Sequence, residues 1–463
     1  MVPPVEREPL SLPPGEFRRL AHVVADLVAD HLEGIRDLPP LRPGTRAQMD
    51  ALLREPVPQE PGDLDAALAT AAEVVLGHMQ LTQHPRYFAR VPGPSSAVGP
   101  LADALASGFN AIATSWAGSA GPTTLELVVT DWLAQLLGMP DGTEGVLLSG
   151  GSMSSLTAFA AARLARLGGH DPDAVVYCSA QTHASLPRAL RALGFADDRV
   201  RVLPCDDAFR LPVDAVARAV EADRAAGLRP FLLIATAGTT NTGAVDPLPA
   251  LADLAEAQGL WLHVDGAYGA PGALTAQGAA LLEGMGRADS LTIDPHKWLF
   301  APYECGVLLV REPGLLAGAF AMSPEYLVDT TGPEPSLRDR SLQLTRTTRA
   351  LKLWLTIKAF GLAEIRDGIA RGIALAEHAE RTLRATPGWE IVTPAQLAIV
   401  TFAPAQGDPA AMAAALVADG YAVVSSTVLD GRSVLRLCTI NPRTTEAEID
   451  ETIARLGAVA SSP

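Results

Sequence analysis

Between about Pro92 and Arg340 the chain repeats one pattern: a short apolar run, a polar or glycine-rich break, then a stretch with helical spacing. The runs are GVLLS, AVVYCS, RVRVLP, FLLIATAG, LWLHVDGA, SLTIDPH and CGVLLVR. Apolar runs of this length between helical stretches predict βα units, built into a mainly parallel seven-stranded sheet with helices on both faces. Ahead of this region, Phe17, Leu20, Val23, Val24, Leu27, Val28 and Leu32 recur at helical spacing, and a second helix is predicted from near Asp63 to Leu81. These two helices have apolar faces and no sheet of their own, so a second copy of the chain is their expected cover. Further on, TRALKLWLTIKAFGLAEIRDGIARGIALAEHAERTL predicts one long helical region or two helices. Strands follow in WEIVTPAQLAIVTFAP, AVVSSTVLDG and SVLRLCTIN, then a closing helix in TTEAEIDETIARLG. The expected division is a helical segment over 1–91 that packs on a dimer partner, a large α/β domain over 92–345 and a small α+β domain over 346–463.

Composition narrows the function. The chain has 463 residues, 48% of them hydrophobic, which is ample for a large core and more than one subdomain. A net charge of −16 leaves no general means of neutralising a phosphate backbone, so nucleic acid is excluded as a broad partner. Cys178, Cys205, Cys305 and Cys438 lie far apart with no CxxC pair, so buried free thiols are expected rather than disulfides or a zinc site. The start MVPPVEREPLSLPPGEF lacks the pattern of a secretory signal, and no apolar run approaches the ~20 residues that span a bilayer. A soluble cytoplasmic protein without a membrane partner is the expectation.

In an open parallel sheet, ligands bind beyond the carboxyl ends of the strands, so the residues after each apolar run carry the chemistry. SGGSMSS places Gly150, Gly151 and Ser152 at a predicted helix start, where free N–H groups and the positive dipole end favour a phosphate. A serine N-cap explains the same stretch, and no GK[ST] follows. LWLHVDGAYGA ends a buried strand on Asp265, which needs a cation to sit there; a cationic heterocycle fits, as does a turn cap. His263 and Asp265 alone are too few ligands for a metal. SLTIDPHKWLF sets Lys297 between apolar runs, where burial is expected to lower its pKa towards use as a nucleophile. An imine-forming lysine, an acid for a ring nitrogen and a phosphate cradle together describe a pyridoxal 5'-phosphate site.

The motifs HPRYF, SWAGSAGPTTLE, GGSMSSLTA, SAQTHAS, GTTNTGAVDP, WLHVDGAYG, DPHKWLFAPYECG and QLTRTTRALKLW occur in this order from about Gln83 to Trp354. In these the chain resembles the group II pyridoxal-phosphate-dependent amino-acid decarboxylases, the family of aromatic-L-amino-acid decarboxylase. The resemblance implies the aspartate-aminotransferase-like fold (fold type I), a homodimer with shared active sites, and decarboxylation of an L-amino acid. It also implies roles: Lys297 as Schiff-base lysine, Asp265 as partner of the pyridine nitrogen, and His183 stacked on the cofactor ring. Gly151, Ser152 and Asp294 would lie around the phosphate, Thr240 and Ala267 at the ring, and His296 beside the phosphate or the lysine. His296 and Trp298 are expected to line and close the lysine's pocket.

The chain also departs from the family pattern. The family's mobile loop offers a tyrosine that protonates Cα, and that position falls near Leu337; no tyrosine occurs between Tyr326 and Tyr421. Tyr326 is read as structural. Without that acid, oxygen can take the electrons and give an aldehyde, ammonia and peroxide; water, His183 or Ser336 could instead supply the proton. Aromatic-specific relatives place aromatic side chains where this chain has Arg90, Val91, Pro92, Gly93 and Thr114. A simple aromatic substrate is therefore not expected. A buried Arg90 would hold a distal carboxylate, while an exposed Arg90 would hold nothing. Arg436 and Arg443 are expected near the entrance, in structural salt bridges. Competing readings are an aminotransferase or C–S lyase on the same fold, a non-catalytic homologue, and a metal hydrolase using His263 and Asp265.

Overall fold

The seven apolar runs form one sheet, and all but the third, an edge strand, are largely buried on both faces. In the computed structural model, which describes residues 8–322, 325 and 332–460, they are β1 Glu144–Leu148, β2 Ala174–Ser179, β3 Val200–Leu203, β4 Arg229–Thr236, β5 Trp261–Asp265, β6 Ser290–Ile293 and β7 Gly306–Val310. Tyr326 lies outside the described residues. The strand order is β1-β7-β6-β5-β4-β2-β3. β7 runs antiparallel to both of its neighbours, and the pairs β6–β5–β4–β2–β3 are all parallel. Alternate residues feed two cores: Val175 and Tyr177 of β2 face one, Val176 and Cys178 the other. Side chains on opposite faces, both covered, explain why these runs read as continuous rather than alternating.

A second sheet holds β8 Trp389–Gln396, β9 Ile399–Pro404, β10 Ser425–Leu429 and β11 Arg432–Cys438, all antiparallel in the order β10-β11-β9-β8. The helix Ala350–Ala385 leads into it and is broken at Gly361, where φ is 70°. Only glycine takes that conformation without strain, so the single apolar pattern becomes two helices. Residues 86–90 also join this small sheet: Phe88 N–H donates to Val423 O at 2.7 Å, and Cys438 N–H donates to Phe88 O at 3.0 Å. The segment that precedes the large sheet is thereby tied to the C-terminal one.

The two expected N-terminal helices are Glu16–Gly34 and Leu64–Thr70, the latter running on through a wider turn at Ala71–Val75, and a short helix, Arg46–Leu53, stands between them. Neither helix buries a single residue in this chain, and Phe17 is 70% exposed. No helix among the described residues is long and apolar enough to cross a membrane.

Candidate active site

The carboxyl ends of β1, β2, β4, β5 and β6 open on one cavity of about 360 Å³, lined by Gly151, Ser152, Thr240, Ala267 and His296 among others. Lys297, Asp265, His183 and Asp294 also line it. That volume is in the range of small-molecule sites. Each group arrives by a local device. Asp265 is the last residue of β5 and accepts the Ala267 N–H at 3.1 Å. Asp294 ends the run of β6 and starts the four-residue helix Pro295–Trp298, which carries Lys297. Gly150 and Gly151 follow β1 and open the helix Gly151–Leu167.

Electrostatics at this floor are paired. Lys297 Nζ lies 3.0 Å from Asp294 Oδ2. Burial opposes the charge on Lys297, but Asp294 and Asp265 outweigh it, so its pKa is raised. This corrects the expectation of a lowered value, because burial acted there without its two carboxylates. Burial pushes the Asp265 carboxyl up, with Lys297 partly offsetting it. His183 is lowered by burial, which keeps the ring neutral. Its Nδ1 accepts the Ser185 N–H at 3.3 Å and lies 2.8 Å from Ser185 Oγ, which leaves the proton on Nε2.

The residues present fit pyridoxal phosphate. Met153 and Ser154 N–H both take Gly150 O, whereas those of Gly151 and Ser152 have no partner among the described residues. Free N–H groups at the start of a 17-residue helix are a phosphate cradle. Space is also reserved there: a Cβ on Gly151 would stand 3.2 Å from Asp294 Oδ2 and 3.4 Å from Ala267 Cβ. Asp294 Oδ1 is buried without a partner, so the floor has hydrogen-bonding capacity left for a ligand.

Other expected residues lie elsewhere. Trp298 does not close the pocket; it is fully buried and stacks on Tyr268, ring centroids 5.3 Å apart, anchoring the lysine's helix in the core. His263 is buried between Ser290 and Phe159, with Nδ1 2.8 Å from Ser290 Oγ, and no group of three metal-ligating side chains forms among the described residues. Arg90 is exposed rather than buried; its guanidinium donates to Gln80 Oε1 and does not line the cavity. Thr114 also stands off the cavity, its carbonyl accepting the Arg338 N–H at 3.1 Å. Leu337 is fully buried in the short helix Leu337–Arg340.

Gly93 sits under a residue that the sequence did not single out. A Cβ there would lie 2.4 Å from Tyr303 Oη and 2.8 Å from His296 O. The Tyr303 ring packs on His296 at 4.9 Å. Gln181 and Glu304 also line the cavity and were not anticipated. Gln181 and Tyr303 stand inside quoted motifs, SAQTHAS and DPHKWLFAPYECG, so attention to the neighbours of His183 and Lys297 could have found them. Among the described residues neither Arg436 nor Arg443 has an acidic partner, contrary to the salt bridges expected of them; Arg443 donates to Gln83 O instead.

Comparison with known proteins agrees with this geometry. The Pyridoxal-dependent decarboxylase conserved domain matches residues 46–404. The chain is 41% identical to an aromatic-L-amino-acid decarboxylase of Bacillus atrophaeus, over 98% of this chain and 97% of that one. It is 34% identical to a phenylacetaldehyde synthase of Petunia hybrida, over 84% of this chain and 80% of the relative. The crystal structure of Oryza sativa TDC with PLP and tryptamine superposes with a TM-score of 0.92 at 29% identity, covering 98% of this chain and 100% of that one. The chain belongs to the pyridoxal-dependent decarboxylase family and is a pyridoxal-phosphate-dependent carboxy-lyase acting in amino-acid metabolism.

Proposed function

We propose that this chain removes the α-carboxylate of an L-amino acid whose side chain is polar rather than a simple aromatic ring, and releases the amine. The observation that carries the reading is the convergence of Lys297, Asp265 and His183 on one cavity whose remaining lining includes the polar side chains of Gln181, Ser185, Thr240 and Glu304 beside Ala267 and Tyr268. Bound pyridoxal phosphate supplies an aldehyde for an amine and a ring that accepts the electrons of the breaking bond. Lys297 is the amine that holds the aldehyde between turnovers. Asp265, buried at the end of β5, holds a proton on the ring nitrogen, so that the ring stays electron-poor. Gly151 and Ser152 N–H groups would hold the phosphate, and His183 lines the same cavity. Loss of CO₂ leaves its bonding electron pair behind, so Cα needs a proton, and His183, which lines the same cavity, would deliver it. Burial lowers the His183 pKa, so the ring would first have to take up a proton, for which the Lys297 ammonium in the same cavity is a source.

Four observations favour rival outcomes. Leu337 is buried and carries no proton, and the Petunia relative is a phenylacetaldehyde synthase. Both favour an oxidative branch, in which O₂ and water convert the same carbon to aldehyde with release of CO₂, ammonia and hydrogen peroxide. The Bacillus relative is named for aromatic substrates, and Tyr303 could offer them a ring. One experiment separates these outcomes: purified holoenzyme incubated in air with each amino acid, with CO₂, amine, aldehyde and peroxide assayed together. CO₂ and amine in equal amounts, with tryptophan and dopa turned over poorly, is the expected result. Peroxide equal to CO₂ would establish the oxidative branch, and efficient turnover of tryptophan or dopa would refute the polar substrate. The exposed apolar faces of Glu16–Gly34 and Leu64–Thr70 support a homodimer, to be checked by sedimentation.

A further inference from the structure

Loading the cofactor changes the charge balance of its own cavity. Of the described side chains that line it, Lys297 is the only lysine or arginine, against Asp265, Asp294 and Glu304. Glu304 has Arg349 at 3.9 Å, which leaves one ammonium for two carboxylates. Pyridoxal phosphate commits the Lys297 nitrogen to its bond with the aldehyde, and its phosphate brings roughly −1.5 to −2 charges. On the reading above, the ring nitrogen answers Asp265. Nothing comparable answers Asp294, which is 3% exposed and whose Oδ1 is buried without a partner among the described residues. Asp294 also lies beside the phosphate cradle. A Cβ on Gly151 would stand 3.2 Å from its Oδ2, and one on Gly150 3.8 Å from its Oδ1. Two anions held against each other out of water are costly unless a proton joins them.

His296 stands where that proton fits. Its Nδ1 lies 2.7 Å from Cys305 O, which can only accept, so Nδ1 carries the hydrogen and Nε2 is the open nitrogen. The Cys305 N–H approaches the same Nδ1 only at 3.3 Å. Nε2 lies 3.7 Å from Asp294 Oδ2, so a proton on it faces a carboxylate. The ring also borders the cradle: a Cβ on Gly150 would stand 3.1 Å from His296 Cε1. In the free site burial lowers the pKa of His296; Asp294 opposes this, Lys297 adds to it, and the Cys305 carbonyl and Glu304 oppose it more weakly. Loading engages Lys297 and adds a phosphate, and both changes favour the charged ring. The other neighbours stay neutral: the Tyr303 ring packs on His296 at 4.9 Å, and burial pushes the Cys305 thiol up to about 12. His183, the other imidazole of the cavity, is hydrogen-bonded to Ser185 instead.

We propose that the site takes up one proton from solvent as it binds the cofactor, and that His296 Nε2 carries it, as a cation set between Asp294 and the phosphate. The inference does not depend on which amino acid is the substrate or which product leaves. It makes retention of the cofactor sensitive to pH. A proton that helps the phosphate to bind is itself held more tightly once the phosphate is there. The free ring titrates below 6.5, and the loaded ring titrates higher. Between those two values affinity for the cofactor falls by up to about tenfold per pH unit as pH rises, and above the higher one it levels off.

The test follows cofactor binding rather than turnover. Holoenzyme is dialysed free of cofactor and titrated with pyridoxal phosphate from pH 7 to 9, as the unaltered chain, His296→Gln and Asp294→Asn. Glutamine keeps a donor for Cys305 O but takes no proton. His296→Gln is expected to weaken binding by about 10- to 100-fold at pH 7, the strength of a charge-assisted hydrogen bond, and to converge with the unaltered chain towards pH 9. A merely structural histidine lowers affinity equally at every pH, so parallel curves overturn the proposal. Asp294→Asn removes the facing carboxylate and is expected to bind at least about tenfold more tightly than the unaltered chain at pH 9. Unchanged or weaker binding there overturns the part given to Asp294. Calorimetry at pH 7 in two buffers of different ionisation enthalpy should count about one proton fewer per site in His296→Gln, and an equal count overturns the proposal. Protons taken by the ring nitrogen cancel in that difference. The unaltered holoenzyme gives a readout that no misfolded variant can spoil: its phosphorus-31 resonance should be that of a dianion at pH 7. A monoanion would put the proton on the phosphate and overturn its assignment to His296. Failure of every amino acid to yield CO₂ would remove the decarboxylase reading and leave these binding curves as they are.

Discussion

At the floor of the cavity each buried charge meets an opposite one; behind it, in the small sheet, Arg436 meets no carboxylate among the described residues. Lys297 has Asp294 at 3.0 Å and Asp265 in the same cavity, and His183 is held neutral by burial. Arg436 is as deeply buried, yet it rests on a serine hydroxyl and a carbonyl. The floor is balanced before substrate arrives, as suits a cofactor that stays bound through many turnovers. Pre-paired charge holds shape.

The strongest way to break the contrast is at the floor. Lys297→Ala removes the covalent anchor, and CO₂ release is expected to fall by at least about 10³-fold, with no borohydride-stable cofactor label on the chain. Activity within tenfold of the unaltered enzyme would mean that another amine anchors the cofactor. Asp265→Asn keeps the shape and removes the charge that holds the ring proton. A loss of about 10²–10³-fold in kcat, with the cofactor still bound, is expected. A loss confined to KM would show that Asp265 serves binding alone.

The same contrast explains how much the sequence disclosed. The floor was legible because a parallel sheet delivers whatever follows each apolar run to one rim, so Gly151, Asp265 and Lys297 could be placed together from the strand pattern alone. The wall was not, because its partners come from unrelated stretches. Arg436 and Thr240 are 196 positions apart, and Gly93 meets Tyr303 through neither strand order nor periodicity. Charge was misjudged for the same reason: a lysine between apolar runs reads as desolvated, and the 3.0 Å approach of Asp294 is a tertiary fact. Trp298 was misplaced because a four-residue helix has no amphipathic period to say which side faces the core. Gly361 shows the reverse case, a single residue whose conformational freedom splits one long pattern into two helices.

Paired charge also holds the frame behind the floor. Arg346 and Glu126 are both fully inaccessible and 2.6 Å apart; Arg346 also donates to Ala113 O at 2.9 Å, and Glu126 accepts the Leu147 N–H at 2.8 Å. The pair thus ties the C-terminal end of β1, just before the phosphate cradle, to the stretch that precedes the helix Ala350–Ala385. Arg346→Met is expected to destabilise the fold by about 3–5 kcal/mol, since it leaves Glu126 charged and buried. Chemical denaturation measures this, and a change below about 1 kcal/mol would show that solvent reaches the pair.

Acid should expose a related weakness. His263 is held neutral by burial, with its pKa pushed down to about 3. Between that value and the ordinary 6.5 the unfolded chain binds the extra proton, so stability is complete above about pH 6.5 and declines as pH falls towards 3. The slope from this group alone approaches about 1.4 kcal/mol per pH unit. Denaturation midpoints followed from pH 7 to 5 should flatten in His263→Gln relative to the unaltered chain. An identical slope would assign the acid sensitivity to other groups.

The smallest expected effect sharpens the wall itself. Gly93 has no side chain where the Tyr303 hydroxyl lies, and an added Cβ would stand 2.4 Å from that oxygen and 2.8 Å from the His296 carbonyl. Tyr303 is 50% exposed, so its ring can swing outward, whereas the His296 backbone, next to Lys297, cannot. Gly93→Ala is therefore expected to cost about 1–3 kcal/mol, the usual penalty for overpacking. Tyr303→Ala in the same chain should relieve part of that cost but not all, because the carbonyl remains. A double-mutant cycle read by chemical denaturation should give a favourable coupling of at least about 0.5 kcal/mol. Strict additivity would mean that the phenol does not occupy the space over Gly93, and the wall would then have to be drawn without Tyr303.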